Sequence, residues 1–254
     1  MQRGLLALAV LAAAVFASGA LAITYGEPDQ GRHPYVGALV GTFSSGTFPY
    51  CSGTLISPTV FLTAAHCEVG ARVSVTFDEQ YTSRSKLVWG TWHQHPGYYN
   101  NEGNPLDVAV IVFDKPVKGI APARLPGENL LSQLKAAGTL NGSTAFTSVG
   151  YGSLEDDPPH GDFEFTYPDA RRLSIGYFNA IGPGYLRISQ NPHTGSGGTC
   201  YGDSGGPQFL GGADSNLVVS VTVTGDVFCK STNVAQRIDV PEVRSFLAQY
   251  VSLP

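Results

Sequence analysis

From Tyr35 onward the chain is built of short runs rich in Val, Thr, Phe and Tyr, each ended by Gly, Pro, Asn or Ser. The runs are Tyr35–Val40, Thr59–Thr63, Arg72–Phe77, Val108–Phe113, Ser143–Val149, Leu186–Ser189 and Leu217–Thr224. Such runs predict strands, and turn residues at regular intervals predict an antiparallel barrel or sandwich. Periodicity alone does not choose between these two. One stretch carries a convincing helical period, at the C-terminus. There Asp239 stands as an N-cap, with Glu242 three residues on and Pro241 in the first turn. Val243, Phe246, Leu247, Tyr250 and Val251 then share one face, which reads as a docking surface onto the second half of the chain. Lys115–Asn129 is Pro-rich without alternation and reads as a connector between two similar-sized halves.

The first 22 residues break this pattern. Arg3 supplies a positive start, Leu5–Ala17 an apolar run, and Ala20-Leu21-Ala22 a small-x-small cleavage signal, so residues 1–22 read as a signal peptide. The run is short for a membrane span and no other is long enough. The expectation is a secreted, extracellular protein with no membrane attachment after cleavage. Composition narrows the class further. With 31 Gly, 17 Pro and only 14% charged residues among 254, a helical bundle is disfavoured, while 43% apolar residues suffice for a sizeable core. A net charge of −5 offers no basic footprint for nucleic acid. Four cysteines in an oxidising compartment are expected to pair. Three pairings are open in principle, and the spacings make Cys51 with Cys67 and Cys200 with Cys229 the simplest. Loops of these sizes would each contribute roughly 3 kcal/mol.

Three local sequences carry chemistry. Leu62-Thr63-Ala64-Ala65-His66-Cys67 follows an apolar run, Asn104-Pro105-Leu106-Asp107-Val108-Ala109-Val110 puts an acid at the head of a strand, and Gly202-Asp203-Ser204-Gly205-Gly206-Pro207 sets a hydroxyl in a glycine-dense turn. Taken singly, these are a buried histidine, a strand cap and a loop serine. Taken together, and in this order, they resemble the chymotrypsin-like (trypsin-fold) serine proteases. Ser52-Gly53-Thr54-Leu55-Ile56, His95-Pro96 with Tyr98, and Gly150-Tyr151-Gly152 extend the resemblance from Ile23 to the C-terminal helix.

The resemblance implies an all-β fold of two six-stranded antiparallel barrels with a C-terminal helix, residues 23–119 forming the first half and 120–254 the second. It implies a serine endopeptidase working through an acyl-enzyme on protein or peptide substrates, as a monomer, open to protein inhibitors and using no metal or cofactor. Ser204 would be the nucleophile, His66 its base and Asp107 the group orienting His66, with the Gly202 and Ser204 N–H groups as oxyanion hole. An Asp before the nucleophile, here Asp203, would pair with the amine of a newly cut N-terminus. Ile23-Thr24-Tyr25-Gly26 resembles that mature start, so signal cleavage itself would release the competent chain. The pocket would be formed by Gly198, Thr199, Ser220, Val221, Thr222 and Asn233. Gly198 stands where cation-seeking relatives carry an Asp, so the pocket is expected not to select Arg or Lys. Ser220–Thr222 is the segment expected to pair with substrate, with Thr222–Thr224 as the alternative register, and Ser220 is expected to bond Asp107. A binding protein on the same scaffold and a secreted esterase are the competing readings.

Three further features carry less. His93 and His95 lack a third metal ligand, and Asp78 with Glu79 is too sparse for calcium. Asn141-Gly142-Ser143 fits a glycosylation pattern and equally a hairpin turn.

Overall fold

A computed structural model describes residues 23–99, 105–155 and 165–254. The predicted signal peptide, Asn104 and residues 156–164 lie outside those residues. The first half holds β1 (Glu27–Pro28), β2 (Val36–Phe43), β3 (Gly46–Ser57), β4 (Val60–Thr63), β5 (Arg72–Thr76), β6 (Leu87–Gln94) and β7 (Ala109–Phe113). Helix α1 (Leu130–Ala136) follows, then β8 (Ala145–Gly150), β9 (Leu154–Glu155), β10 (Phe165–Thr166), β11 (Arg172–Ile181) and β12 (Tyr185–Ser189). The chain ends with β13 (Pro207–Leu210), β14 (Val218–Gly225), β15 (Thr232–Arg237) and α2 (Pro241–Leu247).

Strands β2-β3-β4-β7-β6-β5 close a first antiparallel barrel. Strands β11-β12-β15-β14-β13-β8 close a second through the β11–β8 pairing, with β1 added along β11. All seven predicted strands are present, with boundaries within three residues of those expected. The connector, by contrast, leads into a short helix that the sequence pattern did not indicate.

Pairing register brings distant residues to one end of the first barrel. β4 and β7 pair with Thr63 opposite Ala109. His66 lies three residues beyond the end of one strand and Asp107 two residues before the start of the other, so antiparallel pairing delivers both to the same rim. The main core joins both barrels, combining Leu55, Phe61, Leu62 and Ile111 with Tyr151, Leu173, Phe209 and Val221. A second cluster of Leu131, Leu140, Phe146, Phe178, Leu186, Ile188 and Val219 fills one end of the second barrel beneath α1.

The C-terminal helix corrects two expectations. Asp239 does not cap α2, whose N-cap is Val240 with no side-chain bond. Its carboxylate is instead bound by Arg237 at 2.9 and 3.0 Å and accepts the Leu131 N–H in the first turn of α1. Nor does the apolar face of α2 dock on the second barrel alone. Phe246 meets the ring of His95 and Tyr250 that of His93, both at the end of the first barrel's β6. The Asn141-Gly142-Ser143 segment is a turn in which Asn141 Oδ1 accepts from Ser143 N–H and Oγ–H.

Candidate active site

Strand β4 runs out through Ala64, buried and small, into a single tight turn, Ala65–Cys67. Cys67 is bonded to Cys51 of β3, with Cα atoms 6.2 Å apart, which anchors the turn. His66 is left part-exposed between them. Its backbone N–H donates to Asp107 Oδ1 at 2.9 Å, and its ring Nδ1 lies 2.7 Å from Asp107 Oδ2. One carboxylate thus holds both the backbone and the ring. With Asp107 ionised, Nδ1 carries the proton and Nε2 is left as an acceptor. Tyr98 and Tyr185 stand near enough to Asp107 that its charge adds to burial in raising both phenols.

Ser204 reaches this rim from the other barrel. Its carbonyl accepts from Ser52 N–H at 2.8 Å, and Cys67 Sγ lies 3.7 Å from the same oxygen. Gly205 fits only without a side chain, because a Cβ there would strike Thr63 Oγ1 and come within 2.6 Å of Ser52 O. The Ser204 turn is therefore pressed against the segment that leads to His66. Among the described residues, Ser204 Oγ forms no hydrogen bond, including to His66.

The turn leaves two donors unspent. Asp203 N–H donates to Cys200 O, Gly205 N–H to Thr222 O and Gly206 N–H to Asp203 O. Between them, the N–H groups of Gly202 and Ser204 meet no acceptor among the described residues. Gly202 adopts φ 95°, a backbone setting that favours glycine.

Asp203 is fully buried. Burial pushes its carboxyl up to about 7, although it accepts the N–H groups of Cys200 and Gly152. Gly152 is required there, since a Cβ would lie 2.5 Å from the carboxyl carbon. In the uncut chain Ile23 is also fully buried, and the next residue is tied to the second barrel. Thr24 O accepts from Gly198 N–H at 2.9 Å, and Thr24 Oγ1 donates to Cys229 O at 3.0 Å. Cys229 is bonded to Cys200, three residues from Asp203.

A cavity of about 300 Å³ opens beside Ser204, lined in part by Thr199, Thr222, Val223, Thr224, Gly225 and Asp226. Of the two expected registers, Thr222–Thr224 is the one that lines this cavity. Ser220 and Val221 lie earlier in β14 and are wholly buried, with Ser220 paired to Gln208 and Arg237. Ser220 Oγ has no partner, so it does not support Asp107. Behind the cavity sits a buried, uncharged polar network. Asn233 Nδ2 donates to Thr199 Oγ1 at 2.5 Å and to Thr222 Oγ1 at 3.4 Å. Gln208 Nε2 reaches Thr222 Oγ1, and Gln190 Oε1 accepts the Thr199 N–H. Gln190 fills the space where a side chain at Gly198 would stand. The one carboxylate in the lining, Asp226, is occupied by Gln190 and three backbone N–H groups. Gln190 is a site residue that sequence reading missed, since nothing marks a lone Gln at the end of a strand.

His66 with Cys51 and Cys67 is the only metal-like cluster among the described residues, and both its sulfurs are spent in the disulfide. A larger cavity, about 560 Å³, opens beside Phe77, Trp89 and Lys118 and contains none of the predicted site residues.

Comparison with known proteins bears on this geometry. The family profile described as Trypsin matches residues 23–246. A protein named Trypsin from Saccharopolyspora erythraea is 29% identical, covering 76% of this chain and 82% of its own. Thrombin-like enzyme acutin from Deinagkistrodon acutus is also 29% identical, over 76% and 80%. CLIP domain-containing serine protease B15 from Anopheles gambiae is 26% identical, over 89% and 70%.

Proposed function

The chain belongs to the trypsin family of serine proteases, and we propose that it is a secreted endopeptidase in which Ser204, His66 and Asp107 cleave peptide bonds through an acyl-enzyme. The observation that carries this reading is the His66–Asp107 pair, closed at 2.7 Å on the rim where the Ser204 turn abuts the first barrel with two donors unspent. In the proposed reaction Ser204 Oγ bonds to the substrate carbonyl carbon while its proton passes to His66 Nε2. The carbonyl oxygen, now an oxyanion, accepts from the Gly202 and Ser204 N–H groups. Collapse breaks the C–N bond, and His66 returns the proton to the leaving amine. Water then repeats the sequence and frees the acid and Ser204.

Substrate is proposed to lie extended along Thr222–Thr224, adding a strand to the second barrel's edge. The polar, uncharged floor suits small or neutral side chains at the cleavage position. Secretion is supported by the residue 1–22 pattern and by two disulfides. Cleavage after Ala22 would convert the Ile23 N–H into an ammonium for Asp203. It would also remove an unfavourable φ of 49° at a β-branched residue, because an N-terminal residue has no φ to constrain.

The test is a fluorophosphonate probe with a peptide library and N-terminal sequencing of the secreted protein. The wild type is expected to start at Ile23, to label at Ser204 and to cut internal amide bonds, with Ser204→Ala abolishing both labelling and cutting. A folded wild type that neither labels nor cuts would favour a binding protein, and turnover of esters alone an esterase.

A further inference from the structure

Ser52 holds more of the Ser204 turn than any other residue of the first barrel. It lies in β3 next to the Cys51 disulfide and is wholly buried. Its backbone N–H donates to Ser204 O at 2.8 Å. Its Oγ donates to Gly202 O at 3.0 Å and accepts the Tyr151 N–H at 3.0 Å. One residue thus binds the carbonyls of both residues whose N–H groups stand unspent, and ties them to the start of the Gly152 segment that feeds Asp203.

This matters because Gly202 is the least constrained residue of the turn. At φ 95° glycine rotates with little steric resistance, so its peptide planes settle wherever their polar groups are held. Asp203 N–H is fixed from one side by Cys200 O. The Gly202 carbonyl is fixed from the other by the Ser52 hydroxyl alone. Neighbouring groups leave little room for a substitute, since a Cβ on Gly150 would stand 3.0 Å from Ser52 Oγ. We propose that Ser52 is a positioning residue for the oxyanion hole, its hydroxyl holding the Gly202–Ser204 turn in the conformation that aims both N–H donors into the cleft. The role rests on the proposed peptidase reading, and it acts through the turn rather than on substrate.

The test compares Ser52→Ala and Ser52→Gly with wild type in three measurements. Turnover should split, with kcat falling about 10- to 100-fold for Ser52→Ala, as for a weakened oxyanion donor, and KM nearly unchanged. Affinity for a peptidyl trifluoromethyl ketone, which forms an oxyanion on Ser204, should fall in parallel, while affinity for the unreactive product peptide should hold. Ser52→Gly leaves space for a water to join Tyr151 N–H to Gly202 O, so it should recover part of the lost kcat. The third measurement is amide exchange at Tyr151, Gly202 and Ser204 in the Ser204→Ala background, where Ser52→Ala should speed exchange without unfolding the chain. Equal losses for ketone and product peptide, unchanged kcat, or unchanged exchange would each overturn the role. Faster exchange in a protein whose wild type cleaves nothing would leave the positioning intact and sink the peptidase reading instead.

Discussion

At the scale of single residues, two side chains set testable limits on the site. Asn233 lies behind the Ser204 cavity and donates to two of its lining residues, Thr199 and Thr222. Replacing it with Gly should deepen the cavity and shift library cleavage toward large apolar side chains, by about tenfold relative to wild type. The loss of two buried bonds should cost about 1–3 kcal/mol in thermal unfolding. Unchanged preference would mean that the floor lies elsewhere. Asp203 sets the second limit. Its carboxyl is raised by burial from 3.8 to about 7, so the folded chain holds this proton more tightly than the unfolded chain. Its contribution is then complete at low pH and declines as pH rises from about 4 through 7. An uncut Ser204→Ala chain should lose melting temperature across that window by calorimetry, and Asp203→Asn should flatten the loss. In the chain beginning at Ile23, the new ammonium should remove it. His66, Asp107, Ser204 and Asp203 stood out as candidates in the sequence because each sits in a dense local motif. The Ser220–Thr222 and Thr222–Thr224 registers stayed open for the opposite reason: in a uniform Val/Ser/Thr strand, windows two residues apart present the same alternation. Gln190 and Ser52 were invisible because their roles depend on partners far along the chain.

Elements repeat the lesson at larger grain. The strands legible in advance, such as Thr59–Thr63 and Val108–Phe113, are Val- and Phe-rich and end at strong turn signals. Those not picked out, among them β11 and β15, carry Gly176, Asn179 or Gln236 where apolar residues are expected. The second barrel's interior is polar behind the cavity, so β15 lines it with Asn233 and loses the usual signature. Helix α2 was legible as a helix, since its period is intact, but its partner was not. Sequence shows that a face is apolar without showing which surface it meets. His95 supplies the answer: burial lowers its pKa, and its ring packs on Phe246. Phe246→Ala should therefore cost about 3 kcal/mol. Amide exchange should rise along Leu87–Gln94 of β6 and hold steady in Tyr185–Ser189 of β12. The reverse pattern would place the helix's energetic contact on the second barrel.

For the whole molecule, a site at the seam works only while the two barrels keep their relative position, and a buried charge network crosses that seam. Asp29, in the N-terminal segment, bonds His33 at 2.5 Å and Arg171 at 2.8 Å. Arg171 extends to Val36 O and Phe77 O of the first half and to Tyr151 Oη of the second, at 3.0–3.1 Å. The His33 ring stacks on Phe209 of β13. Burial alone would raise the Asp29 carboxyl, but bonds from His33 and Arg171 outweigh it and hold it at about 2, below 3.8. This contribution is present above pH 4 and is lost as pH falls toward 2, worth roughly 2 kcal/mol. Asp29→Ala would leave Arg171 buried without its carboxylate, at a cost of about 3–5 kcal/mol. Both tryptophans, Trp89 and Trp92, sit in β6 of the first barrel, so fluorescence reports that barrel while circular dichroism reports both. In wild type the two urea transitions should coincide. In Asp29→Ala they should separate, because the barrels lose the ion pair that links their unfolding. Coincident transitions with a loss under about 1 kcal/mol would show that the shared apolar core, rather than this network, couples them.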